Sequence, residues 1–117
     1  MSSVLASLAQ VARSRDPSVN QRRAQRVLVD MVSHIAARGR THGVRVINIS
    51  ELGLMCRTDA EVSIGERVSV WLPVVKDVQA EVRWAEEGRV GMEFRDPIEP
   101  RAYEAMLNII PPRQTAW

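Results

Sequence analysis

Three short runs in the second half of the chain alternate apolar and polar residues with a period of two, and this restricts the fold more than any other feature. Val68, Val70 and Leu72 are interleaved with Arg67, Ser69 and Trp71. Val78, Ala80, Val82 and Trp84 alternate with Gln79, Glu81, Arg83 and Ala85, and Val90, Met92 and Phe94 with Gly91, Glu93 and Arg95. Successive side chains of a strand point to opposite faces, so each run buries one face and wets the other, as antiparallel sheet does.

Turn chemistry separates these runs: Glu87-Gly88, Ser63-Ile64-Gly65 and Pro73. Upstream, residues 27–34 and 43–49 are rich in β-formers and flank Arg38-Gly39-Arg40-Thr41-His42, a hairpin connection; residues 54–58 supply one more short strand. Six closely spaced strands predict an all-β fold, a six-stranded antiparallel barrel. After Asp96-Pro97 the period lengthens: Tyr103, Met106, Leu107 and Ile110 share a helical face, with Pro100 near its start and Pro111-Pro112 as its stop. A C-terminal α-helix packed on the barrel is expected. Val4, Leu5, Leu8 and Val11 predict a short amphipathic helix over 3–13, broken at Asp16-Pro17-Ser18. The expected organisation is an N-terminal helix and arm (1–19), a barrel with a ligand arm (20–97), and a C-terminal helix and tail (98–117).

A chain of 117 residues is the size of one domain and buries roughly 65% of its unfolded surface. The single cysteine, Cys56, cannot form an internal disulfide, and no secretory signal pattern opens the sequence. No apolar stretch approaches the ~20 residues needed to cross a bilayer. A cytoplasmic protein without direct membrane insertion is expected.

The net charge of +2 is unevenly placed. Residues 1–26 carry Arg13, Arg15, Arg22, Arg23 and Arg26 against Asp16, a side-chain charge of +4, while the remainder holds 11 basic and 13 acidic groups. Such an arm suits an anion, whether a phosphate ligand, a nucleic acid or an acidic lipid. Within it Arg22 and Arg26 form an Arg-x-x-x-Arg pair with Arg23 beside the first. Guanidinium forks bind phosphate bidentately and stack on flat rings. With no apolar run to hold it, the segment 14–26 is expected to be mobile without ligand and to order on binding.

Asn48-Ile49-Ser50-Glu51-Leu52-Gly53 follows a β-rich run. The pattern Asn/Asp-x-Ser-x-x-Gly arises about 0.03 times by chance at this composition. One reading is an ordinary turn, in which Asn and Ser cap backbone groups and Gly supplies positive φ. The other is a ligand turn.

The ordered combination of the Arg22/Arg26 pair, the Asn48–Gly53 turn, Val82-Arg83-Trp84 and Gly91-Met92-Glu93-Phe94 resembles the PilZ family, from about Gln21 to Ile110. The resemblance implies a six-stranded barrel with a C-terminal helix and, in many members, binding of cyclic di-GMP. It assigns Arg22, Arg23 and Arg26 to the ligand's phosphates and to stacking on a guanine, and Asn48 and Ser50 to a guanine edge. Gly53 would keep the turn tight and leave room for the base. Asn48 stands where Asp is commoner, and Leu52 where the family often has a second glycine. Trp84 matches a position where some members place a ring against the ligand, although its phase with Val78, Ala80 and Val82 puts it in the core.

The implied function is that of a bacterial cyclic di-GMP receptor that changes conformation or partners on binding and regulates motility, exopolysaccharide or biofilm behaviour through a downstream protein. The alternative is an interaction adaptor of the same fold that does not bind the nucleotide. A single-strand nucleic-acid barrel needs aromatic stacking platforms, and aromatics are only 4% of this chain. No nucleophile–base set, phosphate loop or metal-ligand spacing appears; His34 and His42 read as surface or strand residues, and Glu86-Glu87 as a solvated turn. No enzymatic activity and no cofactor are expected.

Overall fold

The computed structural model describes residues 24–112. Arg22, Arg23, the helix expected over 3–13, most of the arm expected to be mobile and the end of the C-terminal tail lie outside the described residues.

Six strands, β1 (Val27–Ala37), β2 (Arg40–Ile49), β3 (Gly53–Arg57), β4 (Arg67–Leu72), β5 (Lys76–Glu86) and β6 (Arg89–Phe94), precede one helix, α1 (Pro100–Leu107). Every strand pairing is antiparallel, and the order β1-β2-β3-β6-β5-β4 closes into a barrel. β4 returns to β1 through Ile35 opposite Val70 and Ala36 opposite Ser69. Closure leaves no long open edge, which is how a small sheet avoids edge-to-edge association.

The alternation seen in the sequence becomes the core. Ile35, Val46, Ile49, Leu54, Val70, Leu72 and Val82 are fully buried, and Phe94 joins them from β6. The hairpins turn as their residues dictate: Arg38 and Gly39 have φ of 54° and 76°, Glu87 and Gly88 of 52° and 80°. Two successive left-handed residues match the twist of the flanking strands. The first hairpin is tighter than the sequence suggests, because Ala36 pairs with Thr41 and Ala37 with Arg40, carrying polar residues 40–42 into β2. Cross-strand bonding makes strand of Arg40, Thr41 and His42, whose polar run beside Gly39 reads as a connection.

Helix α1 begins where expected. Glu99 caps it by accepting a 3.0 Å bond from the Ala102 N–H, and Pro100 fills the first position, where no N–H is needed. Met106 is fully buried against the barrel. Ile110 lies beyond the helix but is held to it by its N–H bond to the Met106 carbonyl at 3.0 Å and is also buried. Trp71, out of phase with its apolar neighbours, is half-buried on the outer face and stacks on His34 with ring centroids 6.2 Å apart.

Candidate functional site

Three strand irregularities shape one end of the barrel. Register shifts fall between Leu28 and Met31 in β1, between Val46 and Asn48 in β2, and between Val82 and Trp84 in β5. A bulge inserts an extra residue into one strand and reverses which face the following side chains occupy. In β5 the extra residue is Arg83, so Trp84 leaves the phase of Val82 and turns outward, 39% exposed. The core placement expected from the period-two pattern is therefore wrong for Trp84.

The registers assemble an outer-face row across five strands: Leu28, Asn48, Met55, Gly91 and Trp84 stand successively opposite one another. Trp84 ends that row over a glycine. A Cβ on Gly91 would lie 2.1 Å from Trp84 Nε1 and 2.4 Å from Cε2, so the indole fills the space a side chain would take.

The turn between β2 and β3 is built by Ser50. Its buried hydroxyl accepts the Leu52 N–H at 3.1 Å and the Gly53 N–H at 3.2 Å, while its own N–H donates to the Gly53 carbonyl at 2.8 Å. Ser50 thus serves the turn backbone, as a side-chain cap does. Gly53 has no positive φ, contrary to the expectation drawn from its residue type. Its reason is steric: a Cβ there would come within 2.2 Å of the Met92 carbonyl oxygen, so only glycine lets β3 approach β6. Leu52 also avoids the left-handed region, and a second glycine is not required there.

Arg26, at the end of the arm, reaches the turn from twenty-two positions away: its Nη1 donates to Asn48 Oδ1 at 2.8 Å. Arg26, Ser50, Gly53 and Trp84 line one cleft of about 250 Å³ together with Leu52 and Arg83. Asn48 joins this group through its bond to Arg26. Arg22 and Arg23 precede Arg26 but lie outside the described residues.

The residues that sequence reasoning missed are Arg83 and Glu93. Arg83 Nη1 lies 3.4 Å from Glu93 Oε1 and 3.6 Å from Glu81 Oε2. These pairs are solvent-exposed, so they tether the guanidinium weakly and leave it exchangeable. Arg83 sits inside the Val-Arg-Trp motif, but only the bulge brings it to the cleft. The cleft therefore offers two guanidinium groups, an indole and the Glu93 carboxylate around Gly53, with the Asn48 amide beside Arg26. It can take a flat ring and an anion side by side. A wider depression of about 770 Å³ at the opposite end of β1 and β2, lined by Arg38, Arg40, His42, Asp59 and Glu61 among others, mixes both charge signs and holds none of the sequence-predicted site residues.

Among the described residues, no helix is long and apolar enough to cross a membrane, and no group of three or more His, Cys, Asp or Glu side chains is placed to hold a metal ion. Comparison with curated proteins found no match. The sequence profile of the PilZ domain matches residues 20–110, the span that contains Arg22, Arg23 and Arg26, the barrel, the Asn48–Gly53 turn and α1. The chain belongs to the PilZ domain family, whose members are in general receptors for cyclic di-GMP rather than enzymes.

Proposed function

We propose that this chain is itself a cyclic di-GMP receptor that uses the cleft between Arg26, the Asn48–Gly53 turn and Trp84. The observation that carries the reading is the 2.8 Å bond from Arg26 to Asn48, which joins arm and turn beside the indole. Arg22, Arg23 and Arg26 take the two phosphates with bidentate, charge-assisted bonds. Asn48 Oδ1 accepts from guanine N–H groups, and Trp84 lies against a base. Ser50 and Gly53 act by shaping the turn that presents Asn48.

Arg26 then exchanges one partner for another. In the free protein its guanidinium donates to Asn48; in the complex it turns to phosphate and releases Oδ1 to guanine, so one movement prepares both contacts. Drawing the arm onto the barrel repositions the N-terminal segment, and this change is what a downstream protein reads. The output is control of motility, exopolysaccharide or biofilm behaviour in a bacterial cytoplasm.

Titration calorimetry with cyclic di-GMP, cyclic di-AMP and GTP tests this reading. Adenine lacks guanine's N1–H and 2-amino donors, so cyclic di-AMP leaves the Asn48 acceptor without the partners proposed for it and binds at least tenfold more weakly. GTP presents one guanine and a linear triphosphate in place of two guanines joined by two phosphodiesters, and is likewise weak. Absence of heat with cyclic di-GMP at micromolar concentrations, with the chain folded, overturns the proposal in favour of the adaptor that binds no nucleotide.

A further inference from the structure

The carbonyls of the Asn48–Gly53 turn are held from the C-terminal side of the chain. The Leu52 carbonyl accepts from the Phe94 N–H at 2.8 Å, and the Glu51 carbonyl accepts from the Ile98 N–H at 2.8 Å. Both donors are backbone groups in or just after β6. A third carbonyl of this stretch, that of Ile49, is held by a side chain on α1: the Tyr103 hydroxyl donates to it at 3.2 Å across fifty-four positions of sequence.

We infer that Tyr103 is a positioning residue for the ligand turn, fixing the Ile49–Ser50 peptide that stands between the two side-chain-bearing positions of the motif. This rests on the ligand reading of that turn. A peptide plane is rigid, so holding the Ile49 oxygen also aims the Ser50 N–H, which donates to the Gly53 carbonyl at 2.8 Å. The Ser50 hydroxyl, two bonds from the same plane, in turn holds the Leu52 and Gly53 amides. Asn48, immediately upstream, inherits the orientation of the strand end.

Packing alone does not call for a tyrosine here. The side chain is half-buried and packs against the core, as Ala102 and Leu107 of the same helix do, a contact phenylalanine would also make. Burial first, and the Glu51 carboxylate second, raise the phenol's pKa above its ordinary value, which keeps the proton on the oxygen as a donor to a carbonyl requires.

The test compares Tyr103→Phe with Met106→Ala in the full chain. Tyr103→Phe weakens cyclic di-GMP binding by up to about tenfold, the most that one lost intramolecular hydrogen bond can pass on to the ligand, and lowers the melting temperature by only a few degrees, less than Met106→Ala does. Met106→Ala, which opens a cavity beneath the same helix, lowers the melting temperature and leaves the affinity of the folded protein unchanged. In the ligand-free protein, Tyr103→Phe speeds amide exchange at Leu52 and Gly53 but not at Val68 and Val70 in β4. Unchanged affinity together with unchanged exchange at the turn overturns the inference, as does exchange that rises uniformly over the barrel. Because the exchange comparison needs no ligand, it decides the role of Tyr103 even if the parent chain binds no cyclic di-GMP, in which case only the receptor reading falls.

Discussion

The indole of Trp84 occupies the space that any side chain at Gly91 would need, with Nε1 only 2.1 Å from where a Cβ would stand. Gly91→Ala therefore displaces the ring. Trp84 is 39% exposed and can swing outward, so the fold survives while the stacking surface is lost. The expected outcome is a moved Trp84 indole N–H resonance and several-fold weaker ligand binding, at a small change in melting temperature. An indole resonance that stays in place shows that the contact between the two residues is not what positions the ring.

Gly53→Ala behaves differently, although the clearance is nearly the same. The Cβ would meet the Met92 carbonyl oxygen at 2.2 Å and the Glu93 Cα at 3.2 Å, which are backbone atoms of β6 and cannot rotate away. β3 and β6 must separate, costing roughly 1–3 kcal/mol or more as overpacking does. Thermal or urea unfolding reads this directly, and a variant as stable as the parent contradicts the close-approach account of this glycine.

Arg26→Ala removes the tether to Asn48 and, on the proposed role of Arg26, one phosphate fork with it. Charge-assisted hydrogen bonds contribute ~1.5–3 kcal/mol each, so cyclic di-GMP affinity falls by tenfold or more. Arg26 is exposed and outside the core, so the melting temperature without ligand barely moves. Calorimetry on a variant shown by NMR to be folded is the check; parent-like affinity removes Arg26 from the site.

Asn48 separates the ligand turn from an ordinary one. Asn48→Asp keeps the acceptor and adds charge, so it binds cyclic di-GMP equally well or better, whereas Asn48→Ala binds more weakly. Equal affinities for both variants would mean that the side chain does not contact the ligand.

Cys56 makes stability fall at high pH. Burial pushes its thiol up to about 12 from an ordinary 9.0, so between those values the folded state keeps a proton that the unfolded state has released. The folded state then binds more protons than the unfolded one, and unfolding free energy declines as pH rises. The contribution is fully present below pH 9.0 and lost by about 12. Urea unfolding at pH 8 and pH 10.5 should show a smaller loss in Cys56→Ala than in the parent, and the native thiol should resist alkylation at neutral pH. An identical pH slope in both proteins excludes this origin.

Much of the barrel was legible in the sequence because its cause is local. Period-two alternation over 67–72 and 89–94 sets which face of β4 and β6 is buried, Glu87-Gly88 specifies the last hairpin, and Pro100 and Pro111 bracket the segment containing α1. The ordered Arg22-x-x-x-Arg26, Asn48-x-Ser50-x-x-Gly53, Val82-Arg83-Trp84 and Gly91-Met92-Glu93-Phe94 motifs carried the family resemblance for the same reason: each is a short string of residue types. The first hairpin was less legible, since residues 40–42 become strand only by pairing with Ala36 and Ala37.

What the sequence by itself determined, then, is the set of strands, their buried faces and the residue types available for an anion and a flat ring. The tertiary structure decided where those residues point. Trp84 reads as core from its own strand and is outward because the pairing with β6 inserts Arg83, a property of two strands that neither encodes alone. Gly53 reads as a turn glycine and is instead a point of contact with Met92. Arg26 meets Asn48 through the pairing of β1 with β2, and Tyr103 meets Ile49 through the packing of α1 on the barrel. Alternation and capping act over a few residues through the backbone, whereas bulges, close approaches and long-range hydrogen bonds depend on which partner the folded chain brings alongside.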